Sequence, residues 1–91
     1  MATINKREVG RYFVEEFKEI VEMGDIIGTS SKLQLLSKSA HKILGKSFNR
    51  EFLTPVKQEC ESSPEKMIFL SYILMGVELS KISTIRQVKL G

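Results

Sequence analysis

The chain is predicted to fold as an all-α, compact bundle of four to five helices in a single domain over residues 1–91. Three observations predict this. Apolar residues recur at helical spacing, as in Val9, Phe13, Phe17 and Ile20. Helix stop and start signals punctuate the chain at Gly24, Gly45, Pro55 and Pro64. A length of 91 residues, with 42% hydrophobic and 27% charged side chains, fits one modest core and an ordinary folded composition.

The first helix is expected over about residues 5–23, with Tyr12 and Val21 beside the apolar repeat and Glu15 and Lys18 paired on an exposed face. Gly24 and Asp25 end it, because glycine takes the left-handed conformation that a helix C-terminus favours. Ile26, Ile27 and Gly28 then read as a short connection. Thr29, Ser30 and Ser31 offer N-cap oxygens to a second helix that runs from about residue 31 to 44 and stops at Gly45. Residues 47–53 read as a helical turn that presents Phe48, Phe52 and Leu53 to the core. Thr54 and Pro55 have the order of an N-cap and first helical position, starting a brief helix to about residue 61. Ser62 and Glu65 have the spacing of a capping box before the last helix, residues 64–82.

That last helix is apolar around nearly its whole circumference, from Met67 to Leu79. It therefore belongs at the centre of the bundle or buries one side against another molecule. Interrupted by Ser71, Gly76 and Glu78, it falls short of the ~20 apolar residues that span a bilayer, so no membrane role is expected. Residues 83–91 are open to three readings: a helix extension, a paired strand or a loose tail.

Charge is sorted by segment. Residues 1–28 carry four basic against six acidic side chains, whereas residues 29–53 carry Lys32, Lys38, Lys42, Lys46 and Arg50 against Glu51 alone. At about 100° per residue, Leu33, Leu36, Ala40, Ile43 and Leu44 form the core face of the second helix. Lys38, Lys42 and Lys46 centre opposite, making a cationic ridge flanked by Lys32 and Arg50. Ser31 and Ser39 add neutral donors of the kind used on phosphate oxygens. No exposed aromatic is interleaved with the lysines, so the ridge is expected to hold DNA or RNA backbone without sequence preference. The sorting has a plainer reading too, in which oppositely charged helices attract each other.

Catalysis, metals and cofactors are not expected. His41 is the one histidine and Cys60 the one cysteine, so neither has a neighbour of its own kind at ligand spacing, nor an evident partner as nucleophile or base. Glu59 and Glu61 flank Cys60 and would raise its thiol pKa. Gly28-Thr29-Ser30-Ser31-Lys32 has the composition of a phosphate loop but lacks the Gly-Lys-Ser/Thr order that loop needs. Glu15, Glu16 and Glu19, with Lys18 among them, read as a solvated face. A single cysteine and the lack of a leader-like start point to a reducing, cytoplasmic setting.

Tyr12-Phe13-Val14-Glu15-Glu16-Phe17, then Gly24-Asp25, then Leu33-Gln34-Leu35-Leu36 with Ala40 one turn on, resemble the small helical subunit of CRISPR effector (Cascade-like) complexes. The likeness covers about a third of the chain and is mainly a core pattern; the aromatic-rich ending of some such subunits is missing here. The resemblance implies a non-catalytic bundle, repeated along a guide-bound filament in antiviral defence, that holds DNA or RNA backbone with basic side chains. Its implied partners are that backbone, protein subunits of the complex and further copies of itself. The alternative is a protein-interaction module without a nucleic-acid role, such as a phage-type inhibitor or regulator docking on a host protein through the acidic first helix or the apolar last one.

Overall fold

The computed structural model describes the backbone of residues 5–24 and 26–90 and the side chains of residues 5–24 and 28–81. Four α-helices follow in chain order: α1 (Lys6–Met23), α2 (Ile26–Leu44), α3 (Thr54–Glu61) and α4 (Met67–Leu90). A 3-10 turn (Gly45–Ser47) and a π-helical turn (Asn49–Leu53) join α2 to α3, and a 3-10 turn (Pro64–Lys66) leads into α4. No strand occurs among the described residues, and the all-α expectation holds.

Helix α1 starts where Asn5 Oδ1 accepts from the amides of Arg7 and Glu8, and ends at Gly24 with φ +68°. Lys6 extends from its first turn to donate to the carbonyls of Ile43 (2.8 Å) and Leu44 (3.3 Å). A cation therefore meets the negative end of the α2 dipole. This contact sets the start of α1 beside the end of α2, so the two helices run antiparallel.

The core joins Phe13 and Phe17 of α1, Leu33, Ala40 and Leu44 of α2, Phe48 and Phe52, Val56 and Cys60 of α3, and Leu70 and Ile73 of α4. Phe52 is central. Its ring meets Phe13 edge-on at 6.3 Å and Phe48 at 5.4 Å, geometries that favour aromatic pairs. Helices α2 and α4 share the most extensive contact in the fold. At their crossing Ser37, fully buried, donates to the Ile73 carbonyl at 2.7 Å. A Cβ on Gly76 would collide with the Gln34 carbonyl oxygen and lie 2.9 Å from Ser37 Cβ.

Several local expectations are corrected. Helix α2 begins at Ile26, so Thr29, Ser30 and Ser31 are helix-interior residues and not caps. Burial of Thr29 at 2% exposure, together with the packing of α2, outweighs the weak preference of such residues for helix ends. Asp25 lies outside the described residues. Thr54-Pro55 does not start a helix from a loop, because Thr54 is already helical and its amide donates to the Asn49 carbonyl. The wider π turn fits a proline here: Pro55 has no N–H for the Glu51 carbonyl, and its ring would crowd that carbonyl in a regular α-helix. Ser62 makes no capping box, since its hydroxyl donates back to the Glu59 carbonyl at 2.6 Å, while Ser63 takes the extended N-cap position without a side-chain bond.

The core face of α2 is also rotated from the expected one. Ile43 is 45% exposed whereas Ser37 is buried. Helix α4 is not central: one side packs on α2, and Met67, Ile68, Leu74, Met75 and Leu79 are exposed on the other. Its backbone continues as helix through residues 83–90, whose side chains lie outside the described residues.

Candidate nucleic-acid interface

The outward side of α2 follows from its inward one. With Leu33, Ser37, Ala40 and Leu44 buried, Lys38 and Lys42 stand one turn apart on the opposite surface, both exposed. Helix α2 closes at Leu44, and Gly45 with φ +55° turns the chain, so exposed Lys46 stands on the following 3-10 turn. Lys32 is exposed about 120° around the helix from Lys38, on the side that faces α1. Among the described residues none of these four lysines forms an ion pair, whereas Lys18, Lys66 and Lys81 are matched to Glu15, Glu59 and Glu78.

Arg50 differs from the lysines. It is exposed on the π turn, and its Nε lies 3.0 Å from Glu51 Oε2. An exposed pair of this kind is a weak restraint, yet the carboxylate of Glu51 offsets the positive charge of Arg50 locally. The structure thus brings Lys38 and Lys42 together, sets Lys46 on the turn beyond them, and places Lys32 and Arg50 apart at the two margins.

Two exposed apolar side chains belong to this surface. Leu35 is 64% exposed within the lysine arc, and Tyr12 of α1 is 60% exposed. They line a groove of about 310 Å³ between α1 and α2, together with Glu16, Ile20, Lys32 and Ser39. The expectation that no exposed aromatic stands among the lysines is therefore corrected at Lys32. Tyr12 is 20 residues away in sequence, and only the antiparallel docking of α1 on α2 brings it there. A signal existed, since a core set by Phe13 and Phe17 turns Tyr12 outward.

The remaining chemistry-bearing residues are accounted for by packing. The ring of His41 stands edge-on to Phe48 at 5.0 Å, with Nδ1 3.4 Å from Ser80 Oγ. Cys60 is fully buried, and burial, followed by the charge of Glu59, pushes its thiol up, away from the reactive thiolate. Residues 28–32 are helical and form no phosphate loop. Among the described residues no group of three or more His, Cys, Asp or Glu side chains is placed to hold a metal ion, and no helix is long and apolar enough to cross a membrane.

On the far side of the domain, the exposed face of α4 forms a second groove of about 630 Å³ with Gln34, lined by Ser71, Leu74, Met75, Glu78 and Leu79. Its walls are mainly apolar. No family model, no curated protein and no solved structure matches this chain.

Proposed function

We propose that the protein is a non-catalytic component of a larger assembly that holds DNA or RNA by its backbone, in the cytoplasm. The observation that carries this reading is the exposed set Lys38, Lys42 and Lys46, without an ion pair among the described residues, with Lys32 and Arg50 at its margins. Lysines held on a folded surface neutralise phosphates and release condensed counterions. The apolar face of α4 supports membership in an assembly, since five large apolar side chains are exposed along it. The more specific form, a small subunit repeated along the guide-bound filament of a CRISPR effector complex, rests on the resemblance of residues 12–40.

Filter binding of DNA and RNA at two salt concentrations tests the reading, comparing the wild type with a Lys38→Glu, Lys42→Glu, Lys46→Glu triple variant. Each phosphate neutralised should add roughly 0.7–0.9 to the slope of log affinity against log salt. The triple variant should lose binding with its helical circular dichroism intact. Unchanged affinity would overturn the reading.

The α4 face favours a second reading, a protein-interaction module such as an inhibitor or regulator that docks on another protein. A complex with a protein that persists at high salt, with no DNA or RNA retained, is its signature.

A further inference from the structure

Along the α1–α2 groove the surface sorts its charge into two rows. At about 100° per residue, Glu8, Tyr12, Glu16 and Glu19 share one face of α1, while Lys32, Leu35 and Lys42 share the adjoining face of α2. The groove residues Tyr12, Glu16, Lys32 and Leu35 show that these two faces adjoin. An acidic row thus lies on one side of an apolar trough and a basic row on the other. Among the described residues no ion pair crosses from one row to the other within a single copy.

We propose that this face pairs with the same face of a second copy about a two-fold axis parallel to the two helices. Such an axis exchanges left for right and preserves height along the helices. It therefore sets α1 of one copy opposite α2 of the other. An axis across the helices would instead oppose glutamates to glutamates, which electrostatics disfavours.

Height decides whether unlike charges meet. Lys6 at the carbonyls of Ile43 and Leu44 levels the start of α1 with the end of α2, and the groove levels Glu16 and Ile20 with Lys32. In the pair, Glu8 then meets Lys42 of the other copy, and Glu16 and Glu19 meet its Lys32. Tyr12 and Leu35, 60% and 64% exposed in one copy, become the central apolar contact. The face is self-complementary, as an isologous interface must be. Two helices wide and on the order of 25 Å long, it has the extent of a specific dimer contact. Lys38, about 40° further from α1 than Lys42, and Lys46 on the turn stay at the outer margin, so in the pair these two remain open to phosphate while Lys32 and Lys42 are taken up by the partner's glutamates.

Light scattering of the full chain without nucleic acid, at low and high salt, tests the pairing. The wild type should show a two-copy mass at low salt that falls toward one copy as salt rises. A Lys32→Glu, Lys42→Glu variant and a Glu8→Lys, Glu16→Lys, Glu19→Lys variant should each have a one-copy mass alone. Mixed in equal amounts they should recover the two-copy mass. Leu35→Glu, at an exposed position outside the core, should also give one copy, so the test does not depend on the multiple variants folding. A one-copy wild type at both salts overturns the proposal, as does a two-copy mass that survives all these changes and so places the contact elsewhere. The readout is mass alone, so its failure leaves the nucleic-acid reading to its own filter-binding test.

Discussion

Ser37 donates its hydroxyl to the carbonyl of Ile73 at 2.7 Å, inside the crossing where Gly76 brings α4 against the backbone of α2. The hydrogen bond and the close approach depend on each other. Removing the hydroxyl in Ser37→Ala should cost about 1 kcal/mol, the net value of a typical internal hydrogen bond. Gly76→Ala should cost more, roughly 1–3 kcal/mol, because the added methyl meets the Gln34 carbonyl, a backbone atom that cannot rotate away. In an open helix the same change would stabilise by about 1 kcal/mol, so its sign is diagnostic. Urea denaturation measures both, and a Gly76→Ala protein as stable as the wild type would contradict the crossing.

Gly10 gives an independent check on the other side of the core. A Cβ there would lie 2.6 Å from both Cβ and the carbonyl oxygen of Glu51. That carbonyl belongs to the π turn before Pro55, and Pro55 offers it no amide. Gly10→Ala should therefore destabilise by about 1–3 kcal/mol, against the small gain that helix propensity alone predicts. Thermal unfolding of Gly10→Ala beside the wild type decides between the two signs.

These crossings also explain what the sequence could and could not disclose. The core face of α1 was legible because Phe13 and Phe17 carry large apolar side chains at helical spacing. The face of α2 lies about 40° from the one its apolar residues predict: a serine is buried at position 37 because it has an acceptor in Ile73, and that acceptor lies 36 residues on. Ile43 is left outside for the same reason. Thr54-Pro55 has the pattern of a helix start, and nothing in linear order distinguishes this from a proline accommodated by a π turn. At the candidate site the exposure of Lys38 and Lys42 followed from the leucines opposite them. The proximity of Tyr12 to Lys32 did not, since it depends on how α1 docks.

Cys60 should be a slow thiol. Its side chain is fully buried, and both burial and the neighbouring Glu59 disfavour the thiolate that reacts. Labelling of the native protein with a thiol reagent at neutral pH should be limited by opening of the fold, and should become fast in urea. The gap in rate should narrow in Gly76→Ala, which lowers the cost of opening. Rapid labelling of the native wild type, equal to that of the unfolded chain, would show that α3 does not hold this thiol in the core.

The ion pair of Glu59 and Lys66, 2.9 Å apart, links α3 to the turn before α4 and makes stability depend on pH at both extremes. The hydrogen bond from Lys66, then its charge, holds the Glu59 carboxyl below its ordinary value. Its contribution is present above the pKa of the unfolded chain and is lost as pH falls through the folded one. For Lys66 the sign reverses: the hydrogen bond to Glu59 raises its pKa, so its contribution is present below the unfolded value and lost as pH rises through the folded one. Stability from this pair should thus be level around neutrality and decline in acid and in strong alkali. Glu59→Gln should be modestly less stable than the wild type at pH 7, with the difference disappearing in acid, where the wild-type carboxyl is itself protonated. Chemical denaturation of both proteins across pH checks this, and a difference that persists unchanged into acid would assign the effect to packing around Glu59 and not to its charge.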